Sequence, residues 1–186
     1  MKSIYIILIW FQIIISNIYG QQYNFELLSV EDGLSNNRIM CIEQDSRGFI
    51  WLGTDNGLNR YDGYEFKIFR EELPSQSIHV IKEDHTKNLW LGTAEGLYIF
   101  DCVKEIYRPF THNPDDHYSL SNNQVSSIVE DDSGTIWIGT HNGLNRYDRK
   151  NKRFIRFYNK KNAEKQVLKK SMLVCENYLN LDYINN

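Results

Sequence analysis

The sequence predicts an all-β fold in which one unit of four short strands occurs three times. Two observations lead to this prediction. The first is a repeated phrase, written FIWLGTDNGLNRYD from Phe49, NLWLGTAEGLYIFD from Asn88 and TIWIGTHNGLNRYD from Thr135. The second is the alternation, throughout this region, of short runs rich in β-branched and aromatic side chains with polar turn sequences. A chain that repeats a phrase in this way builds one structural unit several times.

The spacing of the repeat is that of a β-propeller blade. Trp51 and Trp90 are 39 residues apart, and Trp90 and Trp137 are 47 residues apart. Propeller blades repeat at about 40–50 residues and consist of four antiparallel strands. We therefore predict three blades, at about 34–70, 73–110 and 120–158, within a repeat region that spans 21–158. Because propellers close with about 4–8 blades, three blades form an incomplete propeller.

Within the first copy the predicted strands are IMCIEQ, FIWLGT, GLNRYD and YEFKIF. The turn between the first two strands contains an Asp six residues before the Trp, and this Asp recurs as Asp45, Asp84 and Asp131. An Asp side chain accepts hydrogen bonds from the backbone that follows it, and a nearby Gly tolerates positive φ. The repeated Asp residues therefore indicate structural turns.

The repeated tryptophans are predicted to lie in the core, between adjacent blades, because they occupy the same position in every copy. A sugar-stacking role is the alternative. The glycine two residues after each Trp is predicted to permit close backbone approach. This structural set consists of Trp51, Gly53, Trp90, Gly92, Trp137 and Gly139. Cys41 lies in an apolar run and is predicted to be a small core residue.

The two ends of the chain do not share the repeat. Residues 1–20 contain one Lys and an apolar run too short for the usual membrane span, which predicts a signal peptide cleaved after Gly20; an uncleaved anchor is the alternative. Export to an oxidising compartment follows from this prediction. Residues 159–186 are predicted to form a short irregular or helical tail.

Composition and motifs exclude several functions. The 186 residues carry a net charge of −3, which gives no reason to expect nucleic acid as a partner. The pair His112 and His117 lacks further ligands for zinc, and the Asp-rich turns lack the complete calcium-loop pattern, so no metal or cofactor is predicted. A basic run from Arg149 to Lys170 suggests either polyanion binding or, as we favour, a solvated blade edge.

The candidate binding residues lie in loops that share one face of the predicted propeller. In a four-stranded meander, the loop between the second and third strands and the connection to the next blade emerge at the same end. Amides, carboxylates and Arg match the hydroxyls and carboxylates of sugars. The alternative is that Asn and Ser serve only turn geometry. The candidates are Asn36, Asn37, Arg38, Asp55, Asn56, Asn122, Asn123, His141 and Asn142.

The stretch GLSNNRIMCIEQDSRGFIWLGTDNGLNRYDGYEF resembles the two-component regulator propeller repeat, and the resemblance extends over residues 23–158. It implies a non-catalytic sensor domain in the periplasmic region of a hybrid two-component system, recognising polysaccharide fragments. The partners implied are an oligosaccharide, further blades and membrane-linked kinase modules of a longer parent protein. A secreted carbohydrate-binding or scaffold module is the main alternative, and a propeller glycoside hydrolase or lyase is a further one.

Overall fold

The computed structural model describes residues 25–70, 73 and 77–158. The predicted signal peptide and the predicted C-terminal tail lie outside these residues. The described chain forms three antiparallel sheets of four strands, in each of which every strand pairs with its neighbour in sequence. The prediction of three four-stranded blades is confirmed, and within the described residues the sheets do not close into a ring.

The first blade follows a short 3-10 helix, Val30–Asp32, that Ser29 caps. Blade 1 consists of β1 (Ile39–Gln44), β2 (Ile50–Thr54), β3 (Gly57–Tyr61) and β4 (Phe66–Phe69). Blade 2 consists of β5 (Ile78–Glu83), β6 (Asn88–Thr93), β7 (Leu97–Asp101) and β8 (Ile106–Phe110). Blade 3 consists of β9 (Val125–Glu130), β10 (Ile136–Thr140), β11 (Gly143–Asp148) and β12 (Arg153–Phe157).

The core lies between the blades rather than within them. One cluster lies between blades 1 and 2. It contains Trp51 of blade 1 and Phe100 of blade 2. Their rings meet edge to face with centroids 5.9 Å apart. A second cluster joins blades 2 and 3, where Trp90 meets Tyr147 at 4.9 Å. Trp51 and Trp90 therefore each pack against the blade that follows their own, as core residues and not as stacking platforms.

The burial of Trp137 differs from the prediction. Trp51 and Trp90 are buried, with 0% and 1% of their surface exposed, whereas Trp137 is only part-buried. Trp137 contacts Phe157 of its own blade, at a centroid distance of 5.7 Å. No fourth blade lies beyond it among the described residues, so one side of the ring has no protein cover there.

The same effect appears at the other end of the arc. Ile42, Ile81 and Ile128 hold equivalent positions in the innermost strands, and the exposed fraction of Ile42 is 61% against 5% for each of the others. Blade 1 covers Ile81 and blade 2 covers Ile128, whereas no blade precedes Ile42 among the described residues. Before it, Phe25 and Leu27 belong to no strand and are 94% and 88% exposed.

Close approach of adjacent blades explains two of the repeated glycines. A Cβ atom at Gly53 would lie 2.8 Å from the carbonyl oxygen of Ile78 in blade 2. One at Gly92 would lie 2.6 Å from a methyl carbon of Val125 in blade 3. Gly139 holds the same register in β10 and is buried. Cys41 is part-buried and packs against the cluster between blades 1 and 2, at the edge of the core, where burial raises its pKa to about 12.

Candidate functional site

The loop face is the end of the arc formed by the β2–β3, β6–β7 and β10–β11 loops together with the connections that enter β1, β5 and β9. Each of the three loops is built on one threonine, Thr54, Thr93 or Thr140. Its hydroxyl donates to the glycine carbonyl three residues on and accepts from the backbone N–H two residues on. This frame is constant, while the residue that it presents varies.

The presented residues carry the chemistry of the loop face. They are Asp55 in blade 1, Ala94 in blade 2 and His141 in blade 3. Because the hydrogen-bonded frame is the same in all three loops, backbone geometry does not dictate these side chains. If the loop face binds a ligand, each blade therefore offers it a different side chain at this position.

A polar cluster forms around Asp55 where blades 1 and 2 meet. Arg38 donates from Nη1 to Asp55 Oδ2 at 3.0 Å, and the Ser77 hydroxyl donates to Asp55 Oδ1 at 2.8 Å. The same hydroxyl contacts His79 Nε2 at 3.1 Å. The hydroxyl thus lies between carboxylate and imidazole, whereas a Ser-His-Asp nucleophile needs the imidazole in the middle. The arrangement suits hydrogen bonding to a ligand better than nucleophilic attack.

The position of His79 depends on a β-bulge. The register of β5 with β6 shifts between Ile78 and Val80, which leaves His79 as the extra residue. The same shift occurs in the innermost strands of blades 1 and 3, at Met40 and Ser126. Bulges re-aim side chains next to a sheet end. Sequence reasoning missed His79, because a bulge is visible only once the strand pairing is known.

Four of the predicted asparagines use their side-chain oxygens to hold the loops. Asn36 and Asn122 each accept from the backbone N–H two residues on, at 2.7 and 2.8 Å. Asn37 accepts from the backbone of Val30 at 2.9 Å, and Asn123 accepts from that of His112 at 2.5 Å. These four residues lie on the loop face, and the turn-geometry alternative accounts for their oxygens.

The remaining candidates divide by their contacts. The Asn56 amide donates to the Ser35 carbonyl at 3.1 Å, so it too ties one loop to the next. His141 and Asn142 are exposed, and their contacts to described residues run through backbone N–H groups only. Arg38, Asp55 and His141 therefore have the side chains best placed to meet a ligand.

A buried network beneath the loop face fixes these side chains. The Ser35 N–H donates to Asn59 Oδ1 at 2.9 Å, and the Ser35 and Thr54 hydroxyls are 2.8 Å apart. Blade 3 repeats both distances with Ser121, Asn145 and Thr140. A fully satisfied buried network holds its loop in one arrangement. The loops at blades 1 and 3 are thus rigid supports for the residues above them.

The opposite end of each blade is organised by the repeated Asp. One carboxylate oxygen accepts from two backbone N–H groups of its turn, and the other accepts from the indole of the following Trp. Burial alone would raise the pKa of Asp45, Asp84 and Asp131, but these hydrogen bonds outweigh burial and lower all three pKa values. The carboxylates are structural, as the sequence predicted, and they lie away from the loop face.

Among the described residues, no group of three or more His, Cys, Asp or Glu side chains is arranged to hold a metal ion. Across the same residues, none of the helical structure has the length and apolar character needed to cross a membrane.

Three regions of the chain match a known family model. The two-component regulator propeller model matches residues 33–56, 72–95 and 119–142. The matches correspond to the three copies of the repeat and end in the β2–β3, β6–β7 and β10–β11 loops.

A curated relative and two solved structures place the match in context. Histidine kinase P4 of Formosa agariphila is 42% identical over 64 residues, which is 33% of this chain and 5% of the kinase. The extracellular domain of a protein described as a hybrid two component system of B. thetaiotaomicron superposes with a TM-score of 0.68 at 28% identity, covering 75% of this chain and 20% of that one.

A catalytically inactive virginiamycin B lyase from Staphylococcus aureus, solved with quinupristin, superposes with a TM-score of 0.57 at 16% identity. The superposition covers 79% of this chain and 48% of the lyase. At that identity the likeness concerns the fold alone. The chain spans a small part of the kinase and of the extracellular domain that it resembles.

Proposed function

The chain belongs to the two-component regulator propeller family, and from this premise we propose that its loop face takes part in recognising an oligosaccharide outside the cytoplasm. Its blades are those of the sensor propeller of hybrid two-component systems. Support for an exported location comes from the structural relative, which is an extracellular domain, and from the signal peptide predicted at 1–20.

The observation that carries the proposal is the polar cluster on the constant loop frame. Arg38, Asp55 and Ser77 connect two blades through side-chain hydrogen bonds at the surface. Arg38 keeps 71% of its side chain exposed, so most of its five N–H donors remain accessible. Sugar hydroxyls need closely spaced donors and acceptors held in fixed positions, and a carboxylate between a guanidinium and a hydroxyl supplies both.

We also propose that occupancy of this face is passed to kinase modules of a longer protein, with further blades completing the propeller. The histidine kinase that matches this chain, of which the alignment covers 5%, supports that arrangement. The chain itself then has a binding role and not a catalytic one.

Calorimetry on the full chain with a panel of neutral and acidic oligosaccharides tests the proposal. We expect at least one member to bind, and Arg38→Ala or His141→Ala to weaken binding by about tenfold or more while leaving the melting temperature within the range of the control. Lys150→Ala is the matched control, because Lys150 is exposed in a turn at the opposite end of blade 3. Failure of the whole panel to bind, or equal affinity in all variants, would refute the role of this face.

A further inference from the structure

A groove lies between blades 2 and 3 on the side of the arc, away from the loop face. Its volume is about 450 Å³. Aromatic and apolar side chains form its walls, among them Trp90, Tyr107 and Tyr147. The charged lining residues are four cations, Lys104, Arg108, Arg149 and Lys152, and two carboxylates, Asp84 and Asp101. The groove therefore has an excess of positive charge.

Both carboxylates already have partners. Asp84 accepts from the Trp90 indole at 2.8 Å and from Arg149 at 3.1 Å. Asp101 accepts from two backbone N–H groups of its own turn and lies 3.6 Å from the Lys104 ammonium. By contrast, the side chains of Arg108 and Lys152 form no hydrogen bond or ion pair with any of the described residues. Two cationic side chains that line one groove are thus without an ion-pair partner among the described residues.

The groove between blades 1 and 2 contains residues at the positions equivalent to Arg108 and Lys152. Arg108 in β8 corresponds to Lys67 in β4, since each lies two residues before the Phe that pairs with the first apolar residue of the preceding strand. Lys152 corresponds to Glu105: each lies four residues after the Asp of its turn, and their φ angles are 52° and 57°. The two turns thus have the same backbone form.

In the first groove these positions form an ion pair. Lys67 Nζ donates to the two Glu105 oxygens at 2.6 and 2.8 Å. A carboxylate therefore fits beside the cation at this place between two blades. In the second groove Lys152 stands where the first groove has the carboxylate, so both of the equivalent positions, Arg108 and Lys152, are cationic and line the same groove.

We propose that the groove between blades 2 and 3 binds a small oxyanion, a carboxylate or a sulfate, between Arg108 and Lys152. The anion takes the place that the Glu105 carboxylate has in the neighbouring groove, and charge-assisted hydrogen bonds from a guanidinium and an ammonium hold it. Tyr147 lines the same groove: burial raises its pKa, and the positive charges of Arg108 and Arg149 oppose that rise. Its neutral hydroxyl is a further donor.

This site includes residues from the start of the basic run, Arg149 to Lys170, noted in the sequence. Lys152 belongs to that run, for which the sequence favours a solvated blade edge. The side chain is exposed and also lines the groove shared by two blades. The site is independent of the proposed loop-face function, since it lies at a different part of the arc and is formed by different residues.

The test is calorimetry on the full chain with two anionic probes, sodium sulfate and trigalacturonate, at constant ionic strength, with maltotriose as the neutral probe. We expect saturable binding of at least one anion and none of maltotriose in the groove. Tighter binding of trigalacturonate than of sulfate identifies an anion carried on a sugar, and the reverse identifies a free oxyanion.

Lys152→Glu restores the charge pattern of the first groove and should weaken anion binding by about tenfold or more without lowering the melting temperature. Lys150→Glu makes the same charge change two residues away and is the matched control. Glu105→Lys should create a second site, which raises the binding stoichiometry. If Lys152→Glu does not fold, Arg108→Gln supplies the same comparison. Equal losses in the Lys152 and Lys150 variants, or no saturable binding of either anion, would overturn the proposal.

Discussion

The indole Nε1 of Trp90 donates a 2.8 Å hydrogen bond to the Asp84 carboxylate, six residues earlier in the chain. The same bond joins Trp51 to Asp45 at 2.9 Å and Trp137 to Asp131 at 2.8 Å. In blades 1 and 2 it links the turn between the first two strands of a blade to the Trp side chain that packs against the next blade. Turn geometry and interblade packing are therefore stabilised by the same carboxylate.

Removing that carboxylate should destabilise the protein most where it also joins two blades. Asp84 also pairs with Arg149 of blade 3, so Asp84→Ala leaves the buried Trp90 indole without its acceptor and removes one of the two carboxylates that pair with Arg149. We expect a loss of about 1–3 kcal/mol in the free energy of unfolding, measured by urea denaturation. Asp132→Ala removes an exposed carboxylate in the equivalent turn of blade 3 and is the control. Similar losses in both variants would contradict the structural role.

The repeated Asp residues should also determine the acid stability of the protein. Their folded pKa values lie below the ordinary value of 3.8, so around and below pH 4 the folded protein binds fewer protons than the unfolded chain. The stabilisation is present above pH 4 and is lost as pH falls through the folded pKa values. Urea midpoints between pH 6 and pH 2.5 should fall steeply below pH 4, and less steeply in Asp84→Asn. An identical pH profile in that variant would exclude Asp84 as a contributor.

Much of this fold is predictable because the repeat makes local signals agree. The innermost strand of blade 1 was predicted as IMCIEQ and is observed as Ile39–Gln44. The Asp turns were predicted from the residue types of Asp and Gly. The hydrogen bond to the indole was not, although a spacing of six residues between Asp and Trp in all three copies is a signal that could have indicated it.

Other features depend on neighbours that local sequence does not specify. The phrase around Trp137 is nearly identical to that around Trp51, yet their burial differs, because burial depends on whether another blade follows. The loop-face residues were placed on one end from topology alone, whereas the contact between Ser77 and His79 requires the bulge in β5. Whether that face binds an oligosaccharide stays a prediction.

Substituting each of the three tryptophans in turn should show whether its contribution to stability depends on burial or on its position in the repeat. We expect Trp51→Ala and Trp90→Ala each to reduce the free energy of unfolding by about 3–5 kcal/mol, the range for a large aromatic side chain removed from a core. Trp137→Ala should cost distinctly less in the isolated chain, because that ring is only part-buried. Thermal melts and urea titrations on the three variants make the comparison. Equal losses at all three positions would show that Trp137 is covered in solution.

Each junction between two blades should lose stability separately when its own glutamate is removed. At the first junction, Glu83 of blade 2 accepts from the Ser46 N–H at 2.8 Å and from its hydroxyl at 3.0 Å. At the second, Glu130 of blade 3 accepts from the His85 N–H at 2.9 Å, contacts the His85 ring and pairs with Arg149 at 3.1 Å. Each glutamate is the last residue of the innermost strand of its blade, and the two connect their blades to the preceding blade in equivalent ways.

We expect Glu130→Ala to weaken the junction of blades 2 and 3 by about 1–3 kcal/mol, since a part-buried acceptor of several hydrogen bonds is lost. Amide hydrogen exchange reports this change locally, because regions that open independently lose protection independently. Exchange should accelerate in β9 and β10 while β1 and β2 keep their rates. Glu83→Ala is the matched control and should give the opposite pattern, with faster exchange in blade 1. Uniform acceleration across all three blades in both variants would show instead that the arc unfolds as one cooperative unit and that its junctions have no separate stability.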